Sequence, residues 1–221
     1  MLLKRKDFSE CNIMGNSDAS RTSRHAQGRK YLNHDERLRF LAAAAQVDER
    51  KRLFVELLAW TGARISEVLA VTALSFDLFA STVTLQTLKR RRHVPREIPI
   101  PPQLMHRLDE CFTLRSSQQD VALADSRLWS FCRVTGWRIV KQLMDAAGIV
   151  GLRSTPRGLR HGFGVGTLQA GVPLTLLKRW LGHARLSTTE IYLEVIGPEE
   201  IAFASRFWSL GHSAADPPMP D

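Results

Sequence analysis

The chain has 221 residues, 44% of them hydrophobic, and carries 31 Lys+Arg against 22 Asp+Glu for a formal net charge of +9. That length accommodates one domain with a substantial core; no run of about 18 apolar residues marks a membrane span, and the opening MLLKRKDF lacks the apolar segment of a leader. Cys11, Cys111 and Cys132 are odd in number and far apart, which argues against a disulfide framework or a zinc site and leads us to expect a soluble cytoplasmic protein.

Residues 1–30 are rich in Ser, Asn, Arg and Gly without apolar periodicity, and their seven basic and three acidic residues give +4. They read as a flexible basic arm. Order is expected from Tyr31. Asn33 followed three residues later by Glu36 has the form of a capping box opening a helix through LRFLAAAAQ. A second helix, 49–61, places Leu53, Phe54, Leu57, Leu58 and Thr61 on one face and stops at Gly62, a residue suited to a left-handed cap. RISEVLAV then restarts a helix with Arg64 in its first turn. Residues 82–88 alternate Val83, Leu85 and Thr87 with polar neighbours, and 93–100 read as an antiparallel partner, with Lys89, Arg90, Arg91 and Arg92 at the hairpin tip.

Helices follow from Pro101–Pro102 to about Cys111, over 134–147 ending at Gly148, from Pro156 to Gly171, and from Pro173 to Gly182; the last two pair an early proline with a terminal glycine. A short helix over 188–195 is expected to carry Tyr192, and an amphipathic one over 199–208 carries Ile201, Phe203, Phe207 and Trp208. Residues 209–221 read as a disordered tail. The class is mainly α with a small antiparallel β-sheet.

Positive charge is clustered. Residues 86–100 hold Lys89, Arg90, Arg91, Arg92 and Arg96 against Glu97 alone, and residues 151–192 hold Arg153, Arg157, Arg160, Lys178, Arg179 and Arg185 against Glu190 alone. Clustering of this kind suits a polyphosphate ligand better than a diffuse basic surface does. Arg160, His183 and Tyr192 stand at offsets of 23 and 9 residues. Arginine forks onto two phosphate oxygens, histidine shares or moves a proton, and tyrosine acts as a nucleophile. Arg64 and Lys89 complete a set for phosphoryl transfer without a metal, in which fixed cations neutralise the charge that develops on the non-bridging oxygens. Tyrosine, with an ordinary pKa of about 10, needs those cations to become nucleophilic. Taken singly, either arginine is explained by a surface position or an ion pair, and His183 by a satisfied core; the joint pattern carries the argument.

These residues resemble the tyrosine recombinases, also called phage integrases, over about 31–208. The carrying motifs are TGARISEVL, the hairpin Lys89, TPRGLRH, and LGHARLSTTEIY. The resemblance implies a catalytic-domain fold of that family and cleavage of DNA through a 3′-phosphotyrosine with release of a 5′ hydroxyl, reversed by a second strand, using no metal or other cofactor. It implies that Arg64 and Arg160 clamp the phosphate, Lys89 is the general acid, His183 a phosphate or proton partner, and Tyr192 the nucleophile. It further implies a bacterial, nucleoid-associated protein that assembles as a homo-tetramer on double-stranded DNA with paired inverted repeats. Arg90, Arg91, Arg92, Arg96, Lys178, Arg179 and Arg185 are expected to contact that DNA. Two departures stand out. Arg157 occupies the position of a histidine in the family's motif, and arginine cannot accept a proton. Where the family usually has a separate DNA-clamping domain, only the basic arm stands before residue 31 in this sequence, so the chain is expected to resemble the compact members that invert small DNA switches. The rival reading is a non-catalytic DNA-binding regulator using helices 156–171 and 173–182 as a helix-turn-helix.

Overall fold

Local capping signals set the first described helices of the chain, whose computed structural model describes residues 29–87, 94–185 and 189. In α1 (His34–Ala44) the Asn33 side chain accepts from the Glu36 backbone N–H while the Glu36 carboxylate accepts from that of Asn33, the reciprocal pair expected from the sequence. Asp48 caps α2 (Glu49–Thr61), which ends at Gly62 with φ +59°. Any side chain at Gly62 would be strained by that φ and would run into the Phe163 ring. Arg64 is the N-cap of a single-turn helix, α3 (Ile65–Val68), one position before the first turn in which the sequence placed it.

Strands β1 (Phe76–Asp77), β2 (Thr82–Gln86) and β3 (Pro95–Pro99) form an antiparallel sheet in the order β1-β2-β3. The hairpin was expected; β1, two residues long, was not. In the β2–β3 register Val83 faces Ile98 and Leu85 faces Arg96, so all four lie on the buried face. Next come α4 (Pro102–Phe112), the short α5 (Leu114–Ser117), α6 (Arg133–Ala146), α7 (Pro156–Gln169) and α8 (Leu174–Leu181).

The central helix α2 packs on α1, α4, α6 and α7, and burying it on all sides takes the pattern beyond one face: Val55, Glu56 and Ala59 are buried with Leu53, Phe54, Leu57 and Leu58. Phe54 meets Phe131 and Trp129 edge-on at ring separations of 5.0 and 5.7 Å. A smaller apolar cluster of Phe163, Val165, Leu168, Leu177 and Leu181 fixes α8 against α7. Among the described residues no helix is long and apolar enough to cross a membrane. The arm before residue 29, the hairpin tip with Lys89, Arg90, Arg91 and Arg92, the segment with Tyr192, and the helix expected over 199–208 all lie outside the described residues.

Candidate active site

The last carbonyls of an α-helix have no partner within the helix, and that end carries partial negative charge. Two such ends converge on Arg160. Its Nη1 donates to the carbonyl of Gly62, the C-cap of α2, at 2.6 Å; its Nη2 donates to that of Leu181, the last residue of α8, at 2.7 Å. The guanidinium is thus buried yet hydrogen-bonded, and it joins α7 to the ends of two other helices. The same Nη2 lies 3.1 Å from His183 Nε2. His183 follows Gly182, whose φ of +66° turns the chain out of α8 and back toward Arg160.

A guanidinium has donors only. His183 Nε2 therefore presents its lone pair to Arg160, the proton sits on Nδ1, and Nδ1 donates to the Thr189 hydroxyl at 2.9 Å. Burial, reinforced by the charges of Arg160 and Arg64, pushes the His183 pKa down to about 4, so the ring is neutral at ordinary pH. His161, one residue beyond Arg160, is likewise pushed to about 4, by burial first and then by Arg157 and Arg160.

Arg64 belongs to a second network. Its backbone N–H donates to Glu67 Oε2 at 2.8 Å and its Nη1 to Oε1 at 2.7 Å. The carboxylate of Glu67, buried, also accepts from Arg96 Nη2 at 2.7 Å. Burial alone would raise the Glu67 pKa, but Arg96, the Arg64 N–H and the Arg64 charge outweigh it and hold it below the ordinary carboxylate value. Arg96 also donates to the Trp180 carbonyl at 2.7 Å and to the Thr87 hydroxyl at 3.0 Å.

This corrects the expectation that Arg96 contacts DNA. Its side chain is 3% exposed, against 30% for Arg64. It is a structural cation tying β3 to Glu67 and α8. The strand alternation carried the signal, since Arg96 shares its face with Ile98.

Of the residues expected from sequence, Arg64, Arg160 and His183 come together, and the charges of both arginines bear on the His183 ring. Arg157 is exposed one turn before His161, its Nε 3.5 Å from His161 Nε2. Lys178, half-buried, and exposed Arg179 lie in the last turn of α8; Arg185 is exposed just beyond. A cleft of about 250 Å³ opens between the hairpin and α8, lined by Thr87, Arg96, Lys178, Arg179, Gly182 and His183 among others. Lys89 and Tyr192 fall outside the described residues. Sequence reasoning missed Glu67 and Thr189. Glu67 stands three residues after the N-cap, the spacing of a capping box; nothing local distinguishes Thr189 from Thr188. Among the described residues no group of three or more His, Cys, Asp or Glu is placed to hold a metal ion.

The sequence profile of the Phage integrase family matches residues 30–196. Tyrosine recombinase XerA of Pyrococcus furiosus is 31% identical over 169 residues, which cover 75% of this chain and 57% of that protein. Tyrosine recombinase XerC of Roseiflexus sp. is 34% identical over 154 residues, covering 66% of this chain and 48% of that protein. The chain thus spans 57% and 48% of the lengths of these two relatives. The crystal structure of XerA recombinase superposes with a TM-score of 0.61 at 27% identity, covering 77% of this chain and 65% of that one. The catalytic domain of bacteriophage HP1 integrase, at 22% identity, shares the fold with a TM-score of 0.60 over 83% of this chain and 98% of that one.

Proposed function

Because this chain belongs to the phage integrase family, we propose that it is a site-specific recombinase that cuts and rejoins DNA strands through a 3′-phosphotyrosine. The observation that carries the reading is the Arg160 guanidinium, pinned by two helix-end carbonyls beside the neutral His183 and within the field shared with Arg64. Such a cation is held in place before substrate arrives, and fixed cations aimed at developing phosphoryl charge are the main resource of a site without a metal.

In the proposed step the Tyr192 phenol releases its proton to solvent water as its oxygen bonds to phosphorus, the bond from phosphorus to the 5′ oxygen breaks, and Lys89 supplies the proton that the departing oxygen takes up. Arg64 and Arg160 clamp the non-bridging oxygens. Lys178, Arg179 and Arg185 grip the DNA backbone, as do Arg90, Arg91 and Arg92. The family membership supports double-stranded DNA with paired inverted repeats as substrate and a homo-tetramer as the acting assembly. Between α1, the end of α2 and α7 lies a mainly apolar groove of about 700 Å³, lined by Leu38, Leu41, Trp60, Phe163 and Val172 among others. The apolar residues of segment 199–208 suit it as an occupant reaching over from a neighbouring copy.

The test is covalency. Duplexes drawn from the DNA flanking its own gene, nicked so that the released fragment diffuses away, should yield a protein–DNA band that survives denaturant and vanishes in Tyr192→Phe. Binding to such duplexes without any adduct would leave a DNA-binding regulator instead.

A further inference from the structure

Two glycines let other segments lie directly on the first turns of α7. A Cβ at Gly158 would stand on the Arg153 carbonyl, and one at Gly162 would meet the Leu32 carbonyl oxygen at 2.8 Å. The Leu32 N–H donates to the Gly158 carbonyl at 3.3 Å. Lys30 is thereby drawn alongside α7, where its charge bears on His161 together with those of Arg157 and Arg160.

The basic groups gathered here are of two kinds. Arg29 and Arg153 both pair with the buried Glu36 at 2.7 Å. Lys30 and Arg157 are exposed, and neither has an ion-pair partner among the described residues. Arg157 instead sets its Nε 3.5 Å from His161 Nε2, one turn on. Its two Nη groups make no hydrogen bond among the described residues. Like charges that no carboxylate balances repel one another, and a bound anion relieves them. That anion is not the cut phosphate, because Arg64 and Arg160 already offer a fork to each of its two non-bridging oxygens. Arg160, moreover, is buried and aimed inward at the ends of α2 and α8, whereas Arg157 faces solvent.

We propose that Lys30 and Arg157, the latter set by His161, form a second phosphate subsite on the exposed side of α7, which takes a DNA phosphate neighbouring the one that is cut. The proposal rests on the recombinase reading and adds a contact to it. Phosphate contacts fix a protein's register on a duplex, so this one holds the strand while the clamp acts on the adjoining linkage. His161 is a positioning residue.

Full-length protein is titrated onto duplexes from the DNA flanking its own gene, with a neutral methylphosphonate placed at one linkage at a time. In Lys30→Ala/Arg157→Ala the slope of log affinity against log salt should flatten by about one unit, the signature of one lost phosphate contact. Both residues are exposed, so the variant should keep the wild-type unfolding midpoint. One neutral linkage should abolish the difference between the variant and the wild type, and that linkage should neighbour the one where the adduct forms. His161→Phe, which fills the space but offers no acceptor, should weaken binding less and be corrected at the same linkage. A wild-type slope in the double variant overturns the proposal, as does a defect that persists whichever linkage is neutral. A defect cancelled only at the cut linkage overturns it too, by assigning Arg157 to the clamp. If the duplexes are bound in the expected pattern while no adduct forms on any of them, the recombinase reading fails and the subsite stands as a backbone contact.

Discussion

Arg64 and Arg160 are offered to the same phosphate but are held in opposite ways. Arg64 shares a buried carboxylate with Arg96, so two cations are balanced against one anion and the group keeps about one net positive charge. Arg160 is held by neutral carbonyls and keeps its whole charge. The second arrangement costs more to build, because a buried ion must replace its water with well-aimed dipoles. It also leaves more field at the site, and that field adds to burial, the larger cause, in holding the His183 pKa down. Arg160 therefore sets the electrostatics, whereas Glu67 sets geometry.

The sharpest way to break this comparison is Arg160→Lys, which keeps a charge but not the fork. Cleavage of nicked duplexes should fall by about 10²–10³-fold, the cost of losing a preorganised charge donor, and the helix ends left with unpaired carbonyls should cost about 1–3 kcal/mol each in denaturant unfolding. Unchanged cleavage would place the clamp elsewhere.

Next in size is Glu67→Ala, which strands two buried or half-buried guanidinium groups and should lower stability by about 3–5 kcal/mol. Arg96→Ala should lose a comparable amount, and the double substitution less than the two together, since both break one network. Additive losses in equilibrium unfolding would contradict the shared carboxylate.

The smallest effect is in pH dependence. His183 and His161 stand at about 4 in the folded chain against 6.5 ordinarily, so the unfolded chain binds more protons between those values. Stability should be level above about pH 7 and fall as pH drops from 6.5 toward 4. His183→Gln should flatten part of that slope. Glu67, held below its ordinary value of 4.5, adds a loss only as pH falls below that. An unchanged slope in the variant would mean His183 is not held neutral by the fold.

The same device recurs outside the site. Arg37 donates to the Ala59 carbonyl in the last turn of α2, and Arg39 to that of Ala147, the C-cap of α6. In the basic sequence several arginines thus serve to complete helix ends, and counting charges cannot separate these from cations left facing solvent. Charge clustering therefore points Arg96 at DNA, whereas the strand alternation it shares with Ile98 puts it on the buried face.

The elements of this fold were legible wherever a short-range bond defines them. Asn33 with Glu36, Gly62, Pro156 and Gly182 each act within one turn of their own position, so their spacing along the chain is their geometry. The spacing of Arg64, Arg160 and His183 likewise pointed to one site, because residue type limits what each side chain does for a phosphate. What spacing does not contain is which groups meet across the chain. Arg160 finds Gly62 across 98 residues, Arg96 finds Glu67 across 29, and both contacts follow from how α2, α8 and the sheet pack. The tautomer of His183 is of this second kind. A histidine by itself has two neutral forms of similar energy, and only the Arg160 donor, brought to Nε2 by the packing, chooses between them.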